Sequence, residues 1–251
     1  MVAPTALSAH AGRMTILGVV GPSGGAGCST LAAALGTRAA ALGLAAAVVD
    51  ADPWGGGVQV TMAAEHVPGH RWNDLIEVDG TVSGERLLER LPAAAGCHLL
   101  SSGRGTHALD RVVPEAVPAA AFDAVIDALE RACDLVIVDW GGQWRSGLGA
   151  SVLIVPISPR GLADAEVWTG RHGVDDLAGV VTRSRRGERR VADATAAQLG
   201  LPLLGELRDD RRVARAARAG QPPGLSARGP LGGLARTLVA AVLAEAGERA
   251  S

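Results

Sequence analysis

The 251-residue chain contains no lysine; all 24 of its basic residues are arginines. That absence excludes Schiff-base chemistry and an ordinary lysine-bearing phosphate loop. Tyrosine is also absent and phenylalanine occurs once, so a base-stacking platform for single-stranded nucleic acid is not expected. The three cysteines, Cys28, Cys97 and Cys133, are far apart and form no CxxC pair. A zinc site or a disulfide framework is therefore not expected. No apolar run approaches the ~20 residues that span a bilayer; the longest is 39–49. The first residues lack a charged segment followed by an apolar one, so they do not read as a secretory signal. A net charge of −2 gives no global pull toward nucleic acid. Together these absences describe a reduced, cytoplasmic chain.

What is present is enough apolar residue, 48%, to fill the core of one large domain. Residues 1–13 read as a disordered leader, with Met14 a candidate start, and 14–251 as a single domain. Short apolar runs at 15–20, 45–49, 97–100, 135–138, 152–155, 179–181 and 203–207 predict strands. Helical spacing is predicted from about Ser29, over 119–132, and near 162–171, 191–199, 211–219 and 231–246. Apolar strands alternating with helices predict an α/β fold, a mostly parallel sheet sandwiched by helices.

Between the first strand and the first helix lies GPSGGAGCST. Glycines there let backbone N–H groups turn inward, and the helix N-terminus adds partial positive charge, which suits a phosphate. Ser29 and Thr30 add hydroxyls, one for Mg²⁺ and one for a phosphate oxygen. The alternative is a tight turn without a ligand. Asp50 and Asp52 follow the second strand, and Asp139 ends the run LVIVD. An Asp after four apolar residues suits Mg²⁺ held through water, or simply caps a strand. Right-handed crossovers would bring the loop and these strand ends to one sheet edge.

Loop, paired Asp and strand-end Asp in this order resemble the MinD/ParA group of deviant P-loop ATPases, whose loop reads K-G-G-x-G-K-[ST]-[ST]. The phrases GPSGGAGCSTLAAAL, VVDADPWGGGVQV, HRWNDL, GLPLLGELRDDRRVARA and GPLGGLAR resemble the actinobacterial CpaE-like branch, also called septum site-determining proteins, found near Tad-type pilus and secretion genes. Together they cover most of 15–240. The resemblance implies ATP and Mg²⁺ as cofactors. It places nucleotide contacts at Ser23, Gly24, Gly25, Ala26, Gly27, Cys28, Ser29 and Thr30, with Thr182, Arg183, Arg208 and Asp209 flanking the adenine. It places Mg²⁺ at Ser29, Asp50 and Asp139, directly or through water, and water activation at Asp52. It implies an absent receiver-like N-terminal domain, protein partners in a pilus, secretion or septum machinery, a possible homodimer and possible peripheral membrane contact. DNA is not the expected partner.

Several positions depart from that pattern. Ser23 and Cys28 stand where the family has its two lysines, Pro22 replaces a loop glycine, and Trp140-Gly141-Gly142 follows Asp139. Losing a charged donor worth ~1.5–3 kcal/mol weakens nucleotide binding about 10- to 100-fold, and hydrolysis suffers more. The expected function is an ATP-binding or degenerate ATPase acting as a positioning or adaptor factor. Three alternatives stay open: an active, dimerising ATPase in which arginine (Arg104, Arg145 or Arg183) replaces lysine, a nucleotide-free scaffold, or a DNA-partition factor.

Other features carry two readings each. Cys28 is either a redox-sensitive thiol at a helix N-terminus or a small, inert replacement. The run 183–190 and the arginines at 208, 211, 212, 215 and 218 form either a docking surface for anions or a solvated face. The stripe Leu231, Leu234, Leu238, Val242 and Leu243 either packs on the domain or docks on a membrane. Trp54 and Trp72 are either core lids or contacts to a partner, with the interface favoured in a chain so poor in aromatics. Glu65, His66 and His70 are a poor metal set.

Overall fold

The computed structural model describes residues 16–52, 57–102, 117–141, 144–185 and 187–249. The proposed leader and Trp54 lie outside them. The strands are β1 (Ile16–Val20), β2 (Ala46–Asp50), β3 (Ala93–Ala94), β4 (Cys97–Leu100), β5 (Leu135–Asp139), β6 (Ala150–Pro156), β7 (Leu177–Ser184) and β8 (Leu203–Arg208). They form one sheet in the order β3-β4-β2-β5-β1-β6-β7-β8. Every pairing is parallel except β3 with β4. β1, β2 and β5 are buried at every position, as apolar strands covered on both faces must be.

The helices are α1 (Cys28–Ala41), α2 (Gly57–Thr61), α3 (Gly84–Arg90), α4 (Ala119–Ala132), α5 (Pro159–His172), α6 (Arg189–Gln198), α7 (Arg211–Arg218) and α8 (Pro230–Arg249). Their starts follow from local chemistry. The Ser83 and Ser158 hydroxyls and the Asp210 carboxylate accept backbone N–H bonds at the entries to α3, α5 and α7, and Pro159 stands in the first turn of α5.

The sheet's two faces are built differently. On one, α1 and α8 pack aliphatic and alanine side chains against Leu17, Val19, Val48, Leu135 and Ile137. A Cβ at Gly36 would sit 2.5 Å from Val48 Cγ2 and 2.7 Å from Cys97 Sγ, so glycine is what lets α1 approach the sheet so closely. Leu231, Leu234, Leu238 and Val242 of α8 are buried in this face, which is the domain-packing reading of that stripe. The other face carries α4 and holds the aromatics of the described residues. Trp72, Phe122, Trp140, Trp144 and Trp168 form a continuous chain with ring centroids 5.3–5.8 Å apart. Trp72 is 1% exposed and donates from Nε1 to the Asp50 carbonyl at 2.7 Å. That corrects its reading as an interface residue: in a chain this poor in aromatics, its area goes to the core.

Parallel topology places the C-terminal ends of β1, β5 and β2 side by side. Val19 pairs with Asp139, and Asp139 with Asp50.

Candidate functional site

The segment from Gly21 to Gly27 connects β1 to α1. Gly25 and Gly27 take φ values of +78° and +106°, a region that side-chain-bearing residues rarely enter. Gly27 is the N-cap of α1, and no side chain caps that end. The first-turn amides are left for the cleft above them. That cleft has a volume of about 610 Å³, which falls in the range of small-molecule sites. It is lined by Gly21 through Thr30, by Asp52, Asp139 and Gly141, by Arg183, and by Trp168, Arg171 and His172 of α5.

Ser29 and the Gly141 backbone lie beside the Asp139 carboxylate and favour its charged form. Burial still pushes Asp139 up to about 6. A hydroxyl and a carboxylate meeting at a loop edge are hard oxygen donors of the kind Mg²⁺ takes. Asp50 is held otherwise. Its Oδ1 accepts the Asp52 N–H at 3.0 Å and its Oδ2 the Val58 N–H at 3.1 Å. Burial first, then the neighbouring Asp139 charge, raises it to about 7. A Cβ at Gly57 would fall 1.7 Å from Asp50 Oδ2, so the entry to α2 is built around this carboxylate. Asp52 lies over Gly141, where a Cβ would come 2.7 Å from that of Asp52.

Arg183, at the end of β7, donates from Nη1 to the Gly25 carbonyl and pairs with Asp209 at 3.4 Å. Thr182 is fully buried beside it on β7, and its hydroxyl has no partner among the described residues. Arg208 does not line this cleft. Its guanidinium pairs with Glu206 at 3.6 Å, packs where a Cβ on Gly187 would be, and borders a separate cavity of about 390 Å³. Arg145 is engaged elsewhere, 3.1 Å from Asp123 and with its guanidinium carbon 5.1 Å from the Phe122 ring centroid. Arg104 lies outside the described residues. The Cys28 thiol turns toward Gly21, and burial pushes it up to about 12. That is the environment of an inert thiol.

The α5 residues in the cleft had no motif to announce them; the Trp168 and His172 rings meet at 4.8 Å, tilted by 37°, one helical turn apart. Among the described residues no group of three His, Cys, Asp or Glu gathers in a metal-binding arrangement. His70 lies 3.8 Å from Asp74. No helix among the described residues is long and apolar enough to cross a membrane.

No family model matches the chain. Solved structures resemble it along most of its length. The MinC:MinD cell division protein complex of Aquifex aeolicus gives a TM-score of 0.70 at 16% identity, over 91% of this chain and 96% of that one. The ParA family ATPase of Chlorobium tepidum gives 0.69 at 16% identity, over 91% and 97%. The septum site-determining protein MinD of Pyrococcus horikoshii, complexed with Mg-ADP, gives 0.67 at 17% identity, over 89% and 93%. The fold is that of the MinD/ParA P-loop ATPases. In sequence, the chain is 32% identical over 207 residues to the uncharacterized protein Rv3660c of Mycobacterium tuberculosis strain H37Rv, and equally to MT3760 of strain CDC 1551. The match covers 79% of this chain and 56% of each relative, so the chain spans little more than half the length of the curated relatives it matches.

Proposed function

We propose that this chain binds ATP with Mg²⁺ in the loop cleft and uses the bound nucleotide to switch its own association and its capture of protein partners. Turnover is slow or nil. The process it serves is the placement of a septum, a Tad-type pilus or a secretion machine, as the resemblance to the CpaE-like branch suggests. Among proteins of this fold are a MinD complexed with Mg-ADP and a MinC:MinD complex, which supports nucleotide and partner binding here.

The observation that carries the reading is that Ser29 and the Asp139 carboxylate line one cleft with the glycine loop, beneath an uncapped helix N-terminus. Loop amides and Thr30 would hold phosphates, while Ser29 directly and Asp139 through water would hold Mg²⁺. When bound, the ion would offset the charge of Asp52 and Asp139 against the phosphates. Asp52 sits where it could orient a water. Asp50, engaged by two backbone amides, would steady the neighbouring strand end.

Titration of the purified chain with a fluorescent ATP analogue, with and without Mg²⁺, tests this. Micromolar binding that needs Mg²⁺ and is lost in Asp139→Ala is the expected result. No binding at millimolar nucleotide would leave the fold as a nucleotide-free scaffold. A second reading, a hydrolysing ATPase, is favoured by one observation: an arginine, Arg183, already touches the loop. Phosphate release above background would support it.

A further inference from the structure

We infer that Arg183 is the phosphate-binding cation of the cleft, standing in for the lysines that Ser23 and Cys28 have replaced. This rests on the nucleotide-binding reading above and reassigns Arg183 from the adenine to the phosphates.

Neither Ser23 nor Cys28 brings positive charge to the loop, while Asp52 and Asp139 line the same cleft. A polyphosphate entering such a site meets two carboxylates and needs a cation beyond Mg²⁺. Arg183 is placed to be that cation. It comes from the end of β7, far from the loop in sequence, yet its Nη1 donates to the Gly25 carbonyl. The same nitrogen lies 3.7 Å from where a Cβ on Gly27 would be, and no side chain at Gly27 intervenes.

The guanidinium is braced from behind. Its Nε and Nη2 both point to Asp209 Oδ1 at 3.4 Å, and the Asp209 N–H is tied to the Ser184 carbonyl at 3.0 Å. A guanidinium has five N–H donors. Three are engaged by these contacts, which leaves two for a ligand in the cleft. The Gly25 carbonyl carries no net charge, and the Asp209 side chain is 50% exposed, so the guanidinium's charge is only partly offset. Arg145, by contrast, is committed to Asp123 and Phe122. Arg171 lines the cleft from an exposed helix end with no bond to the loop among those described.

The test is calorimetric titration of the full chain, in Mg²⁺, with ATP and with inorganic tripolyphosphate, which has no base. Arg183→Ala is expected to weaken both ligands about 10- to 100-fold, the range set by one charged donor. Arg183→Lys should retain part of the affinity. Asp209→Asn, which leaves the cation but loosens its brace, should cost less than Arg183→Ala. Cys28→Lys added to Arg183→Ala should recover both ligands, because it returns a cation to the loop by another route.

A loss of ATP with tripolyphosphate unchanged would show that Arg183 holds the base and overturn the inference. So would unchanged binding of both ligands, or failure of the parent to bind tripolyphosphate while it binds ATP. Failure of the parent to bind ATP at all overturns the nucleotide reading itself, and the inference with it. Arg183→Lys keeps the test open should the alanine variant fold poorly.

Discussion

On the loop side of the cleft the shape is set by backbone: Gly25 and Gly27 at positive φ and the uncapped start of α1. Across from it, shape is set by buried carboxylates: Asp50 tied to two amides, and Asp139 beside Ser29 and the Gly141 backbone. The difference explains why the lysines can be lost from one side while the carboxylates remain on the other. A lysine decorates a turn that Gly25 and Gly27 already shape, so Ser23 and Cys28 cost affinity without disturbing it. Asp50 is woven into the entry to α2 and the end of β2, and its removal would leave amides without partners.

The largest effect should fall on the carboxylate side. Asp139→Ala is expected to abolish the Mg²⁺ dependence of ATP binding and weaken it about 100-fold, whereas Ser29→Ala should cost nearer 10-fold, within the ~10–100-fold range seen when groups around a metal are lost. Equal losses in the two variants, measured by the same titration, would remove the distinction drawn between them.

A smaller but global effect tests the loop side. Gly27→Ala forces a φ of +106° on a residue with a side chain, and its Cβ would meet Leu207 Cδ2 at 3.2 Å. Such strain costs roughly 1–3 kcal/mol. Gly24→Ala, where nothing lies within 4 Å of the added Cβ, should be neutral. Urea denaturation of the two variants side by side reads the contrast. Similar midpoints would mean that the loop is not held by its glycine geometry.

Trp72→Phe keeps a ring against Phe122 and removes the donor to the Asp50 carbonyl. An expected loss of about 1–2 kcal/mol in the same assay, with nucleotide affinity within about twofold, would show that the indole supports the fold under the carboxylates without shaping the ligand contacts.

How far the sequence could be read follows from the same contrast. The strands were legible because a sheet covered on both faces demands uninterrupted apolar runs, and Cys97–Leu100 and Ala119–Ala132 fall where their patterns predict. The meeting of Asp139 with the loop, and of Asp50 with Asp139 on the neighbouring strand, was legible because parallel topology leaves strand ends one place to go. The short α2 and α3 and the antiparallel pair at Ala93–Ala94 were not foreseen; each is too brief to show a period. Trp72 was misread because a loop position gives no sign that the ring folds back under β2. Arg183 could be named as one of three replacements for lysine, but choosing it needed the pairing of β7 with β8, which brings Asp209 behind it.

The smallest effect concerns the thiol that took the lysine's place. Burial and the Asp139 carboxylate hold Cys28 up at about 12, while burial holds Cys97 at about 12 and Cys133 at about 11. A thiol reacts as its thiolate, so at pH 8 a group of this kind should be alkylated about 10³-fold more slowly than a free cysteine titrating near 8.5–9. The sign follows from the proton. Each folded thiol keeps its proton above the unfolded value, so its contribution to stability is full below about pH 9 and is lost as pH rises toward 12. Native protein treated with iodoacetamide at pH 8 should show no labelled cysteine by mass spectrometry, and urea-unfolded protein should show three. Rapid labelling of native Cys28 alone would restore the redox-sensitive loop and place a reactive group where the carboxylate side expects only a neutral one.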